Sequence, residues 1–275
     1  MLELVTIPGG WQLHYYPELR KQLGAERTKL FEQTQRFLKR MGAQLPPGNA
    51  QLEMLVKWGL PLAEIVGALK KPPADLVVVG SRGLSGLGRF LLGSVSEGVL
   101  NSAPCSVLIS RGRGRGASRT RTSGLRVLLA VDESECALAA ARWLRALSVP
   151  ATSQITVLHV VDPPDDRVPQ LLALTAPKFR EAAQAMIRAT KERGRQVLER
   201  VGKVVRHRGL TIHPVMVEGR PAEEIIRAAA RTQADLVILG SRGMTGLKGA
   251  LLGTVSRRVA RHAPCSVLVV RSRGR

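Results

Sequence analysis

The sequence predicts an α/β protein made of two copies of one parallel-sheet unit, and three observations carry that expectation. Short apolar runs alternate with helical stretches between residues 126 and 270, the pattern of a doubly wound parallel sheet. Residues 74–110 return 160 positions later with 22 of 37 positions identical and no gap. Both copies keep the same glycine frame: Gly80, Gly83 and Gly93-Ser94 in the first, Gly240, Gly243 and Gly253-Thr254 in the second.

The second copy can be followed element by element. Residues 126–131, RVLLAV, form an apolar run ending at Asp132 and read as a buried parallel strand. Glu133-Ser134-Glu135 then opens a helix to about Leu147, because Ser or Asp can cap free amides and acids suit the positive end of the helix dipole. Residues 155–161, ITVLHVV, make a second strand that Asp162-Pro163-Pro164 ends. From Pro177 to Arg208, Phe179, Ala183, Met186, Ala189, Val197, Val201 and Val204 recur at mostly three- and four-residue steps, as on a long amphipathic helix. Residues 211–217 form a third strand, placed towards an edge because Pro214 cannot donate to a ladder. Gly219-Arg220-Pro221 turns into a helix over 222–231, Pro being suited to a first turn. Residues 235–240 are the fourth strand, followed by the glycine-rich loop, a helix over 254–262, and a fifth strand, CSVLVV, at 265–270.

The first copy follows the same pattern without gaps from Gly59 and Pro61, the partners of Gly219 and Pro221. Upstream, Leu4 to Pro8 reads as the end of the second strand, and Leu19 to Met41 as the long helix, with Leu19, Leu23, Leu30, Phe31, Phe37 and Leu38 on its apolar face. Nothing is left for the first strand and first helix, so the leading copy lacks about forty-five residues of the unit. Its sheet could close by joining strands two and four, borrow from another chain, or belong to a gene that starts upstream of Met1. The domains are accordingly 1–110, incomplete; 111–124, a linker; and 125–271, complete.

Composition narrows the class. With 44% hydrophobic and 23% charged residues the chain is globular, and with 3% aromatics its cores rest on Val, Leu, Ile and Ala. No apolar run reaches the ~18 residues of a membrane span, and no signal peptide is evident, which points to the cytoplasm. Cys105, Cys136 and Cys265 form no C-x-x-C, which speaks against a metal site or disulfide framework. The net charge is +21, and nine of those positive charges are the arginines of 111–126 and 271–275. An Arg-Gly connector without interleaved aromatics reads as a solvated linker ahead of a nucleic-acid contact.

The glycine frame carries the chemistry. A glycine-rich turn after a strand lets the backbone approach an anion, and the helix starting near Gly253-Thr254 offers unpaired amides and the positive end of its dipole. Arg242 lies inside that loop, within reach of a phosphate. There is no P-loop motif and no dinucleotide fingerprint. On these features, Val131-Asp132, His159-Val160-Val161 and GSRGMTGLKGALLGT, the sequence resembles the universal stress protein family in its tandem, nucleotide-binding form.

That resemblance implies a five-stranded parallel sheet of order 3-2-1-4-5 between helical layers, units paired through their fifth strands, and ATP, with or without Mg²⁺, at the strand carboxyl ends. Val131 and Asp132 would line the adenine and ribose region, Val160 would present backbone to adenine, and Gly240, Gly243, Gly253 and Thr254 would wrap the phosphates. The gripping turn runs from Leu239 to Val255. In the first copy Gly80, Gly83, Gly93 and Ser94 keep the phosphate half alone. The fifth-strand edges, Ser106–Ile109 and Ser266–Val269, suit an intramolecular pseudo-dimer or a homo-oligomer.

Blander readings stand beside these. Asp132 could serve as a helix cap, His159 as a packing or surface residue, and Arg257, Arg258 and Arg261 as a solvated helix face. No catalytic constellation appears, so the expected role is a nucleotide-responsive stress or regulatory module and not an enzyme. Two rivals are an interaction scaffold without nucleotide and a nucleic-acid-associated protein acting through its arginine-rich linker and tail.

Overall fold

The computed structural model describes residues 2–8, 17–44, 51–81, 92–112, 124–162, 177–206, 210–243 and 252–272. The chain divides into two compact units, Met1–Pro73 and Ala74–Arg275.

In the first unit, strand β1 (Leu2–Pro8) pairs in parallel with β2 (Glu53–Gly59), register running from Leu2 opposite Glu53 to Pro8 opposite Gly59. Parallel strands need a crossover, and helix α1 (Pro17–Gly42) supplies it. Helix α2 (Pro61–Ala68) starts on a proline, whose missing N–H costs nothing in a first turn. Leu38 is buried, but Leu30 and Phe37, from the same predicted face of α1, are largely exposed. Gly59 and its repeat partner Gly219 both have positive φ, +154° and +145°, and a Cβ on either would run into the side chain of Glu64 or Glu224. This is why the turn before the proline-led helix keeps glycine in both copies.

The second unit is one seven-stranded sheet, and it holds the entire second copy plus the last β-α-β of the first. Its strands are β3 (Leu76–Gly80), β4 (Ser106–Ser110), β5 (Arg126–Val131), β6 (Gln154–Val161), β7 (Thr211–Glu218), β8 (Leu236–Gly240) and β9 (Ser266–Val270). They lie in the order β3-β4-β9-β8-β5-β6-β7. The stretch β7-β6-β5-β8-β9 is parallel throughout and reproduces the expected 3-2-1-4-5 order. β5 is its centre: five of its six residues, Val127 to Val131, are buried, as a strand covered on both faces requires. β7 is the outer strand, where Pro214 loses no ladder bond on the open side.

The helices are α3 (Ser94–Ser102), α4 (Glu135–Ala146), α5 (Pro177–Val205), α6 (Pro221–Arg231) and α7 (Thr254–His262). On α5 the expected apolar face holds only in the C-terminal half. Val197 and Val201 are buried, the expected Val204 is half-buried and its neighbour Val205 is buried in its place, whereas Met186 is 59% exposed and Ala189 is exposed; the side chains of Phe179 and Ala183 lie outside the described residues. The reason is length: 29 residues rise about 43 Å as a helix, while an eight-residue strand spans about 26 Å. A helix that much longer than the strands it covers cannot bury its whole face against them.

The first copy's sheet does not close by joining strands two and four. β1 sits with β2 in a two-stranded sheet, and β3 with β4 in the seven-stranded one. β4 instead pairs antiparallel with β9, Val107 opposite Val269, Leu108 opposite Leu268 and Ile109 opposite Val267. Because 108 and 268 are repeat partners, a local pseudo-twofold passes through that pair.

Candidate functional site

Three parallel strands bring the predicted residues to one edge of the sheet. Val131 stands opposite His159, and Ala130 lies beside Leu239 on the other side, so Asp132, Val160 and Gly240 come together at the carboxyl end of the sheet. Val131 and Leu239 are buried, Val160 and Asp132 half-buried. His159 is buried, with its Nδ1 3.0 Å from the Val131 carbonyl, so it ties β6 to the end of β5 as a packing residue.

Asp132 uses its two oxygens differently. Oδ1 accepts from the Ser134 N–H at 3.0 Å and from the Ser134 hydroxyl, closing a tight turn before α4. The helix cap itself is Ser134, whose Oγ accepts from the Ala137 N–H at 3.2 Å. Oδ2 faces Gly243, so closely that a Cβ there would lie 2.8 Å from it. The Ser134 hydroxyl also lies 3.3 Å from the Arg242 carbonyl, linking the acid's turn to the start of the glycine loop.

Both ends of that loop are clasped. The Ser241 N–H donates to the Val270 carbonyl at 2.8 Å, and the Ser241 carbonyl accepts from the Gly253 N–H at 2.8 Å and from the Ser256 hydroxyl at 2.9 Å. Gly253 is the N-cap of α7 and brings no side chain to its free amides. Thr254 is exposed and Val255 half-buried in the first turn. Gly240 is packed so tightly that a Cβ would stand 2.7 Å from Cys136 Cβ and 2.9 Å from its carbonyl carbon. The arrangement is therefore an acid, an apolar wall and a glycine-capped helix start opening on one edge. Such a set of amides accepts phosphate oxygens, and the acid accepts hydroxyl donors.

The electrostatics follow from burial and neighbours. Burial pushes the Cys136 thiol up, but hydrogen bonding to Ser272, Ser241 and the Arg242 backbone outweighs it and holds the thiol below its ordinary range. Cys136 Sγ is 3.4 Å from Ser272 Oγ. Burial, and then the charge of Arg242, lower Arg271.

In the first copy the two backbone bonds of the clasp recur, while the serine hydroxyl reaches the carbonyl one residue earlier. The Ser81 N–H donates to Ser110 O, the Gly93 N–H to Ser81 O, and the Ser96 hydroxyl to Gly80 O at 2.6 Å. Ser94 is exposed in the first turn of α3, and Gly83 lies outside the described residues, as do residues 244–251 of the second loop and 113–123 of the linker. The serines at 241 and 256 are not among the residues the sequence singles out. Their recurrence as Ser81 and Ser96, all four buried, is the signal that could have found them. On α7, Arg258 and Arg261 are exposed, as on a solvated helix face, and each also meets an acid: Arg258 pairs with Glu223 at 3.2 Å and Arg261 with Glu97. Among the described residues no three metal-ligating side chains converge, and no helix is long and apolar enough to cross a membrane.

A family model described as the universal stress protein family matches residues 10–111 and 125–271. A universal stress protein of Mycolicibacterium smegmatis is 35% identical over 213 residues, which are 73% of this chain and 63% of that protein. The crystal structure of a universal stress protein from Archaeoglobus fulgidus aligns with 98% of this chain and 88% of its own at 22% identity, with a TM-score of 0.58. A universal stress protein family protein from Arabidopsis thaliana, solved with AMP bound, is 20% identical over 55% of this chain and 93% of its own, with a TM-score of 0.39.

Proposed function

The chain belongs to the universal stress protein family, in a tandem form, and we propose that its second copy binds an adenine nucleotide, ATP, as a regulatory module without a catalytic step of its own. The observation that carries this reading is the opposition of Asp132 Oδ2 and Gly243 across the sheet edge. The carboxylate oxygen that the α4 turn leaves unused points at the start of the glycine loop. A ribose hydroxyl donating to that oxygen would leave the phosphates over the loop, beside the open amides of α7 and the Arg242 side chain. Val131 and Val160 would supply the adenine wall. Mg²⁺ would ride on the phosphates, since no protein ligand set is needed for it.

Without a base, nucleophile or metal cage in the reading, binding works by shifting populations: nucleotide would order the turn from Leu239 to Val255 and so alter what that edge presents to partners. The test is to purify the full chain gently, release any nucleotide and identify it, then repeat with Asp132→Ala and Gly243→Val. ATP in the wild type and its loss in both variants is the expected result. Full retention in both variants would move the site elsewhere, and absence of nucleotide with no thermal shift on adding ATP and Mg²⁺ would favour a scaffold.

A further inference from the structure

The β4–β9 seam is flanked by side chains that differ between the copies. Under the 160-residue repeat, Glu97 of α3 corresponds to Arg257 of α7, and Asn101 to Arg261. The pseudo-twofold through Leu108 and Leu268 sets position 97 of one copy against position 261 of the other, and position 101 against 257. On one side of the seam the outcome is the Glu97–Arg261 ion pair, with the two side chains 28% and 45% exposed. On the mirror side stand Asn101 and Arg257, whose buried Oδ1 and Nε have no hydrogen-bond partner.

We propose that these four positions make β9 specific for β4: the second copy's seam surface fits the first copy and rejects another second copy. Were two second copies to pair through β9 in this geometry, Arg257 would face Arg261 of the other chain twice. Four flanking positive charges would then lie where the observed seam carries one net positive charge, from two arginines and a glutamate. Like charges at such spacing oppose association, and the backbone pairing offers nothing to offset them, because it is the same in both arrangements. The hydrogen bonds around the seam are likewise shared by both: Arg111 and Arg271 use repeat-related carbonyls and serines, so they hold the seam without choosing the partner. The choice rests on Glu97, Arg257 and Arg261. It is independent of whether a nucleotide binds.

A single charge reversal inverts the logic. With Arg261→Glu, two second copies would meet through two ion pairs, each between Arg257 of one chain and the introduced carboxylate of the other, while the native seam would set Glu97 against an acid. In the full chain, sedimentation and amide hydrogen exchange on wild type, Arg261→Glu, Arg261→Gln and the double reversal Glu97→Arg with Arg261→Glu decide the matter. Arg261→Glu should raise the dimer fraction about threefold or more at equal concentration and speed exchange in Val107–Ile109 and Val267–Val269 by a similar factor. The neutral Arg261→Gln should speed exchange less and should not add dimer. The double reversal restores an opposite-charge pair in the native seam, so exchange should return to the wild-type rate. Its dimer fraction should fall below that of Arg261→Glu while staying above wild type, because Arg257 of one chain still meets the introduced carboxylate of another. All differences should shrink in high salt. Should Arg261→Glu fold poorly, Glu97→Arg tests the same contact from the other helix and should speed the same amides. The proposal is overturned if the reversals leave mass and exchange unchanged, or if the double reversal fails to restore the exchange rates.

Discussion

Arg111 and Arg271, 160 positions apart, make the same contacts in opposite directions across the β4–β9 seam. Arg111 donates its backbone N–H to Ser266 Oγ at 3.1 Å and its Nη2 to the carbonyls of Ala260 at 2.7 Å and Arg261 at 3.0 Å. Arg271 donates its backbone N–H to Ser106 Oγ at 3.2 Å and its Nη2 to the carbonyls of Leu100 at 3.0 Å and Asn101 at 3.2 Å. Each guanidinium thus reaches the C-terminal turn of the other copy's helix, where the last carbonyls lack intrahelical donors and the dipole favours a cation.

Replacing either arginine by alanine should therefore destabilise the second unit by a similar amount, about 1–3 kcal/mol, since each leaves two helix-end carbonyls without a charged donor. Urea unfolding of Arg111→Ala and Arg271→Ala would measure it. Lysine, a single point donor, should recover part of the loss at either position.

Asp132 can be divided into its two roles. Asparagine retains an oxygen for the Ser134 N–H, so Asp132→Asn should leave stability within about 0.5 kcal/mol while weakening nucleotide binding through loss of the charge. Asp132→Ala removes both and should also cost about 1 kcal/mol of stability. Chemical denaturation alongside nucleotide titration separates the two.

Gly240→Ala should be among the most damaging small substitutions in the second copy. The added methyl would press on Cys136 Cβ and on the α4 backbone at 2.9–3.1 Å, and a helix backbone cannot turn aside as a side-chain tip can. A loss of about 2–3 kcal/mol in urea unfolding is expected, with the circular dichroism of the remaining folded state unchanged.

Alkaline pH should expose the burial of Cys265. Burial pushes its thiol up to about 11 from 9.0, against the opposing charge of Arg111. Below pH 9 the thiol is neutral in both folded and unfolded chains and the full stability is present. Between about pH 9 and 11 the unfolded chain ionises first, so stability falls as pH rises, by up to about 2–3 kcal/mol. Cys265→Ala should flatten that slope in pH-dependent unfolding.

Local pattern is enough for most elements. The apolar run 126–131 is β5 to the residue, and the helix expected over 254–262 is α7 as observed. Both are short segments bounded by unambiguous breakers, and their burial agrees with their period. The apolar face of α5 stops short of Met186 because periodicity records which side is apolar, not how far the neighbouring sheet extends. At the site, the glycines are legible from spacing, whereas the clasp through Ser241 and Ser256 is not, since a buried serine in a loop has no pattern of its own.

From its sequence alone this protein had its repeat, its strand and helix order, its glycine frame and its family. Those depend on neighbours along the chain, where propensity and periodicity act. Tertiary structure decided that β3 and β4 join the second copy's sheet through β9, that Asp132 turns one oxygen to Gly243, and that Glu97 meets Arg261. Each of these sets side by side residues more than a hundred positions apart, and the free energy of such pairing comes from surfaces and charges that exist only once the chain has folded.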